Sequence, residues 1–180
     1  GALTGPGFDS STSSTWSIAG TAFQNLQNIE LIVTGTASEI GDIVNTYSTA
    51  LTSFPSGLTF KILDGNPLTL TQSQLDQLDA RIDGVVKVSD TNTGIASLLN
   101  NAIPSTVQQI IPVDSLGNTT TLAITFDQFR NLPNFFSEDV VIKDSEDNIV
   151  AALNEDLLDD RVTTLVIKTD TDSTALGKAS

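Results

Sequence analysis

Carboxylates are the side chains in this chain whose number and spacing could do chemistry. The 22 Asp and Glu residues outnumber the eight Lys and Arg residues, and the formal net charge is −14. Oxygen ligands of this kind bind calcium when several of them converge on one point. The candidate ligands lie in one acidic stretch and comprise Asp144, Glu146, Asp147, Glu155, Asp156, Asp159 and Asp160. We expect no required cofactor, and calcium is the ion that these residues would bind.

The same carboxylates have structural explanations. Asp90 and Asp144 precede predicted helices, where an Asp side chain accepts backbone N–H bonds and its charge suits the positive end of the helix dipole. The cluster from Glu155 to Asp160 places two pairs of like charges four residues apart, which costs roughly 0.2–0.5 kcal/mol per pair on a helix. That cluster is either a contact for a cation or a partner, or a solvated helix end beside Arg161.

Most hydrolytic chemistry is closed to this chain. It contains no Cys and no His, so it has no disulfide, none of the usual zinc sites, and no Ser-His-Asp or Cys-His catalytic arrangement. A glycoside hydrolase would need two carboxylates that face each other across a cleft. The single Trp, Trp16, and the single Tyr, Tyr47, offer little aromatic surface to a sugar. We therefore expect a protein that is not an enzyme, with a glycosidase as a distant alternative.

Charge and hydropathy also limit the partners. A net charge of −14 repels the phosphates of nucleic acids and anionic membrane surfaces. No apolar run approaches the roughly 20 residues that span a bilayer, so we expect neither nucleic-acid binding nor membrane insertion. A Cys-free, Met-free and acidic composition is compatible with an exported bacterial surface protein and also with a cytosolic one.

Two sequence patterns recur along the chain. The first opens three predicted helices, and its copies lie 55 and 54 residues apart: Gly35–Ile40, Asp90–Ile95 and Asp144–Ile149. The second, Leu/Ile-Thr-x-x-Gln-Leu/Phe-x-x-Leu, occurs at Leu70–Leu78 and returns 54 residues later at Ile124–Leu132. Self-similarity at such a period is typical of stacked supersecondary units. We therefore predict that Ile40, Ile95 and Ile149 are core residues of equivalent helices.

Each unit is predicted to contain a strand, a helix, two further strands and a second helix. In the central unit, a strand at 85–89 leads into a helix, and strands at 107–113 and 120–124 are joined by a short turn that predicts a hairpin. A second helix begins at Thr125 and ends before Pro133. The other elements are predicted as strands at 30–34, 58–63, 68–71, 140–143 and 162–168, and as helices from Thr36, from Gln72 to about Ile82, and from Ser145 to about Leu158. Thr36 and Glu39 match the capping box at the start of the first of these helices.

These elements predict one α/β domain of stacked strand-helix-strand-strand-helix repeats of about 54 residues. The hairpin supplies antiparallel pairing and the helical crossovers supply parallel pairing, so a mixed sheet is expected. The predicted parts are an N-terminal arm at 1–16, a half repeat at 17–29, repeats at 30–84 and 85–138, and a half repeat with a tail at 139–180. The two halves at the ends are either caps or surfaces that a second molecule completes.

These motifs resemble a repeat found in large exported bacterial surface proteins and adhesin-like proteins, often of the type I secreted kind. The stretches that carry the resemblance lie within residues 30–170 and are 33–40, 63–78, 86–99, 114–132 and 141–153. The resemblance implies a secreted or cell-surface structural role and carries over no catalytic residues. The calcium-binding nonapeptide Gly-Gly-x-Gly-x-Asp, which often accompanies the repeat, does not occur in this chain.

We therefore predict a non-catalytic structural subunit or segment of an extracellular bacterial surface assembly, such as a fibre, a surface layer or an adhesin stalk. Its copies would polymerise head to tail and contact other surface components. A calcium-dependent or glycan-binding adhesion module is the alternative. The apolar residues expected to make the assembly contacts lie toward the two ends of the chain and are Phe8, Trp16, Ile18, Val162, Leu165 and Leu176.

Overall fold

Strands and short helices alternate through the computed structural model, which describes residues 31–49, 57–154 and 157–168. The strands are β1 (Leu31–Gly35), β2 (Leu58–Ile62), β3 (Leu68–Leu70), β4 (Ile82–Asp83), β5 (Val86–Asp90), β6 (Val107–Pro112), β7 (Leu122–Ile124), β8 (Val140–Asp144) and β9 (Val162–Ile167). The helices are α1 (Ala37–Thr46), α2 (Gln72–Leu78), α3 (Asn92–Leu99), α4 (Phe126–Arg130) and α5 (Glu146–Asn154). None of these helices in the described ranges is long and apolar enough to cross a membrane.

The strands form three small sheets in which every pairing is parallel. Their strand orders are β1-β2-β4, β3-β5-β6 and β7-β8-β9. Parallel neighbours need a crossover, and α1, α3 and α5 supply it between β1 and β2, β5 and β6, and β8 and β9. The same interstrand bond opens all three pairs: Leu31 N to Gly57 O (3.0 Å), Val86 N to Thr106 O (2.8 Å) and Val140 N to Arg161 O (2.7 Å).

The α/β class is confirmed, but the expected mixed sheet is wrong for the described residues. The strands predicted to form a hairpin at 107–113 and 120–124 belong to different sheets, because β6 pairs with β5 and β7 pairs with β8. Antiparallel contact between them shrinks to one bridge that joins Val113 to Thr119. Both strands already receive parallel partners through helical crossovers, so the turn moves the chain from one sheet to the next.

Two predicted helices are shorter than the sequence indicated. The helix expected from Gln72 to about Ile82 ends at Leu78 and continues as a 3₁₀ turn, because Ile82 pairs with Phe60 as part of β4. The helix expected to reach about Leu158 is described from Glu146 to Asn154. Residues 155–156 lie outside the described ranges, and Leu157 and Leu158 are not helical.

The core lies between the helices and the three sheets, and the repeated isoleucines are part of it. Ile40, Ile95 and Ile149 are all buried, as predicted. Each lies four residues after the residue that precedes its helix. Ile40 N donates to Thr36 O, Ile95 N to Thr91 O and Ile149 N to Ser145 O. The 3.6-residue period therefore directs equivalent side chains into the core at equivalent places.

Replacing Ile95 with Ala is expected to reduce the free energy of unfolding by about 2–5 kcal/mol, because the deletion leaves a cavity in the core. Thr93 lies on the exposed side of the same helix, so Thr93→Ala should cost far less. Urea denaturation of the two variants checks the assignment. Equal losses would mean that the buried face of α3 is assigned incorrectly.

Candidate functional site

Asp144, the first of the predicted cation ligands, is buried and bound to N–H donors. Its Oδ2 accepts from Phe126 N (2.9 Å), the first residue of α4. Its Oδ1 accepts from Ser145 N (2.8 Å) and from Asn148 Nδ2 (2.9 Å). The carboxylate thus bridges the N-termini of α4 and α5, and a cation would have to displace these donors.

The environment keeps Asp144 ionised. Burial raises the pKa of its carboxyl group, but the hydrogen bonds from Phe126, Asn148 and Ser145, together with the charge of Lys168, outweigh burial and lower the pKa below its ordinary value. A negative charge between two helix N-termini also interacts favourably with both dipoles. Asp144 is therefore a structural anion in this fold.

Asp90 makes the equivalent bridge one unit earlier. Its Oδ2 accepts from Gln72 N (2.8 Å) at the start of α2, and its Oδ1 accepts from Thr91 N (2.7 Å) at the start of α3. A Cβ added to Gly94 would lie 2.3 Å from the Asp90 carboxyl carbon. The carboxylate therefore occupies the space that a side chain at position 94 would need.

The first unit obtains its carboxylate from a different position. Gly35 stands where Asp90 and Asp144 stand in the other units, and Glu39 turns back so that its Oε2 accepts from Thr36 N at 2.8 Å. Thr36 Oγ1 accepts from Glu39 N in return, so the predicted capping box is confirmed. A Cβ on Gly35 would lie 3.1 Å from Glu39 Oε2. Each unit therefore has room for one carboxylate at the start of this helix.

The other predicted ligands are spread over the surface. Glu146 and Asp147 lie exposed in the first turn of α5. Asp159 and Asp160 are exposed near β9, and Glu155 and Asp156 lie outside the described ranges. Within residues 31–49, 57–154 and 157–168, no group of three or more acidic side chains could hold a metal ion.

Asp159 belongs to an ion pair that fastens the last strand. Arg161 donates to both oxygens of Asp159, and this bond lowers the pKa of the Asp159 carboxyl group. The same guanidinium donates to Pro133 O (3.3 Å) and Phe136 O (3.2 Å) and lies 5.2 Å from the centre of the Phe129 ring. Arg161 therefore ties the start of β9 to the segment after α4.

A groove of about 750 Å³ lies along the β6 edge of the second sheet. Its walls are β6, residues 119–121 and residues 135–139. Phe135 is 43% exposed there, whereas Phe136 beside it is buried. An exposed aromatic ring near Glu138 and Asp139 gives this groove the mixture of apolar and polar groups that ligand sites use.

One stripe of α5 is open where its counterparts are covered. Val44 on α1 and Leu99 on α3 are 0% exposed, whereas the equivalent Leu153 on α5 is 55% exposed. Val150 lies one turn before Leu153 and Asn154 on the same side of α5. Val150 and Asn154 are both exposed. We call Val150, Leu153 and Asn154 the open stripe.

The predicted assembly residues are only partly visible. Val162 and Leu165 on β9 are half-buried against the core. Phe8, Trp16, Ile18 and Leu176 lie outside the described residues. The open stripe was missed by the sequence analysis, although the offset between Leu99 and Leu153 matches the 54-residue repeat and could have identified it.

Gly94→Ala is expected to destabilise the protein by about 1–3 kcal/mol, because the new methyl group displaces the Asp90 carboxylate from its N–H donors. Gly41→Ala is the matched control in α1, where the new Cβ meets Leu68 Cδ1 at an ordinary 3.8 Å. That change should stabilise by about 0.5–1 kcal/mol through helix propensity. Thermal melts of both variants measure the difference.

A double variant extends this test. Asp90→Gly combined with Gly94→Glu recreates the Gly35 and Glu39 arrangement of the first unit, so it should be more stable than Gly94→Glu alone. No such recovery in the melts would show that the two arrangements are not interchangeable.

The Asp144 bridge should contribute stability that acid removes. The folded-state pKa is lowered, so the contribution is complete above the unfolded value of about 3.9 and is lost as the pH falls through the folded-state pKa. Asp144→Asn should cost about 1.5–3 kcal/mol at neutral pH, and the gap to the natural chain should narrow on acidification. Urea denaturation across pH measures this gap, with exposed Glu146→Gln as control. A gap that stays constant down to about pH 2.5 would contradict the ionised bridge.

Comparisons with known proteins return no match: no protein-family model fits the chain, and neither the curated proteins nor the solved structures contain a significant relative.

Proposed function

We propose that this chain is a non-catalytic structural segment of an extracellular bacterial surface assembly, such as a fibre, a surface layer or an adhesin stalk. Stacked strand-helix-strand-strand-helix units of about 54 residues would build its body, and its copies would join head to tail. The observation that carries the proposal is the open stripe, where Leu153 is 55% exposed although its counterparts Val44 and Leu99 are buried. An apolar position that is covered on α1 and α3 and exposed on α5, the last described helix, is expected where a further unit packs.

The use of the recurrent polar residues supports a structural role. Asp90 and Asp144 accept from helix N-termini, and Asp64 and Asp114 accept from Asn66 and Asn118 within their turns. Hydrogen bonds from these Asn side chains lower the pKa of both turn carboxyl groups. Repeated residues of this kind hold the backbone together and have few oxygens left for chemistry.

The cellular setting comes from the composition and from the repeat resemblance. A chain without Cys, with a sequence pI of about 4.1, suits an exported protein that stays solvated by its charge. Its partners would be further copies of itself and other surface components, outside the cell or on its surface.

The groove beside β6 favours a second candidate function. The exposed Phe135 ring and the nearby Glu138 and Asp139 could contact a glycan, which would make the chain an adhesion module. Calcium dependence belongs to the same alternative and would need carboxylates other than the occupied Asp144.

Assembly and calcium binding are separated by one pair of measurements. Electron microscopy and light scattering of the purified chain over a concentration series should show elongated oligomers that grow with concentration. A chain that stays monomeric throughout would sink the structural proposal.

Thermal melts in micromolar calcium and in ionic-strength-matched sodium chloride complete the comparison. Sodium chloride should stabilise the chain modestly by screening the carboxylates, and calcium at that level should add nothing. Stabilisation by calcium alone would favour the adhesion module.

A further inference from the structure

Four links join the five described helices in chain order, and two kinds of link alternate. Between α1 and α2, Gln74 Nε2 donates to Asn45 Oδ1 at 3.1 Å. Between α2 and α3, Asp90 bridges both N-termini. Between α3 and α4, Gln128 Nε2 donates to Asn100 Oδ1 at 3.1 Å, and Asp144 then bridges α4 and α5.

The alternation predicts the link that should follow α5. Asn45, Asn100 and Asn154 occupy equivalent positions, 55 and 54 residues apart. The first two accept from a Gln, and Asn154 is exposed at the end of the open stripe. By the same pattern, the donor expected for Asn154 is a Gln in the first turn of a helix.

The segments that cover the stripes of α1 and α3 show what this partner looks like. Leu68 on β3 packs near Gly41 of α1, and Asn131 after α4 donates to Leu99 O at 2.9 Å on α3. Both segments contain an apolar residue, a Thr and a Gln at intervals of three positions. These residues are Leu68, Thr71 and Gln74 in the first segment, and Leu122, Thr125 and Gln128 in the second.

The glutamine in this pattern serves two helices at once. Gln74 Oε1 accepts from Thr71 N at 2.9 Å, and Gln128 Oε1 accepts from Thr125 N at the same distance. Each amide oxygen thus caps its own helix while the amide nitrogen donates to the preceding one. Threonine and glutamine at this spacing are both needed.

The chain carries the pattern again ahead of its first unit, at Ile18, Thr21 and Gln24. The same spacing at Ile103–Gln109 runs into β6 and is already paired with β5. The N-terminal copy is therefore the candidate for the covering segment.

We propose that residues 18–26 of one copy of the chain cover the open stripe of a second copy. Gln24 Nε2 donates to Asn154 Oδ1, as Gln74 and Gln128 do to their asparagines. Ile18 packs on Val150, in the place that Leu68 takes against Gly41, and the new helix covers Leu153. This inference rests on the proposed head-to-tail assembly and names its contact.

Reach argues against the same molecule as the donor. Gln24 lies seven positions before Leu31, and a fully extended chain over seven positions spans at most roughly 25 Å. Neighbouring packed helices lie roughly 8–10 Å apart, so four such steps in a straight row would place α5 roughly 32–40 Å from α1. A second copy meets no such limit.

Cysteine pairing tests the contact, since the chain has no Cys of its own. A Gln24→Cys variant is mixed with an Asn154→Cys variant of different mass, and the disulfide-linked heterodimer is measured after mild oxidation. The double variant Gln128→Cys with Asn100→Cys calibrates the geometry, because that pair is hydrogen-bonded within one chain. Leu116→Cys, on an 85% exposed turn residue, replaces Asn154→Cys as the control for random collision.

We expect the 24–154 heterodimer to form at least about tenfold faster than the 24–116 heterodimer. Equal rates would overturn the proposal. An intrachain disulfide in a chain carrying both Gln24→Cys and Asn154→Cys, without intermolecular product, would also overturn it, since it would mean that the molecule closes on itself.

Association measurements separate this inference from the assembly proposal. Leu153→Arg and Gln24→Ala should each weaken self-association in sedimentation experiments by about tenfold or more, equivalent to about 1.4 kcal/mol. Leu116→Arg should leave association unchanged, and circular dichroism confirms that each variant folds. Oligomers that form but ignore Leu153→Arg and Gln24→Ala would overturn the contact and leave the assembly proposal standing. A chain without oligomers would overturn both.

Discussion

The fold depends on an ionised carboxylate at the edge where its helices begin. Parallel strands joined by helical crossovers bring the carboxyl ends of the strands and the N-termini of the helices to one edge. Each helix adds unpaired N–H groups and a partial positive charge there. Ligand anions often satisfy such groups, whereas Asp90 and Asp144 supply the anion from within the chain. The place where a related architecture would hold a ligand is thus filled by the protein itself.

The two kinds of link between helices differ in charge and in burial. The Asp bridge is charged and, at Asp144, buried, so breaking it leaves helix N–H groups without partners and costs the most. The Gln–Asn link is neutral and more exposed, and it is formed wherever a Thr-x-x-Gln segment lies on the preceding helix. The strong links join the two helices that connect the strands of one sheet, and the weaker links join helices of neighbouring sheets. Such a row of helices can be extended without rebuilding its core.

The sequence predicts local structure better than strand partners. Helical spacing identified Ile40, Ile95 and Ile149 as core, and Thr36 with Glu39 as a capping box, because these signals act within one or two turns. The division into three sheets was not predictable from a short turn at Asp114–Asn118, since pairing depends on which neighbours the crossovers have already supplied. The carboxylate at the helix starts could have been recognised in the sequence. Each of the position pairs 35/39, 90/94 and 144/148 contains one carboxylate. A glycine or an amide fills the other position because the space admits one acid.

Charge opposes the contact that the apolar stripe favours. Residues 1–60 contain no Lys or Arg, and residues 138–172 contain eleven acids against three bases, so a head-to-tail junction brings two acidic ends together. Exposed charges of this kind repel over roughly 8–10 Å at physiological ionic strength. In the proposed assembly, burial of Leu153 and one Gln–Asn bond would have to outweigh this repulsion, and screening by salt would shift that balance. Ionic strength would then control the proposed assembly without any ligand, since the carboxylates of Asp90 and Asp144 already accept from N–H donors at the helix starts.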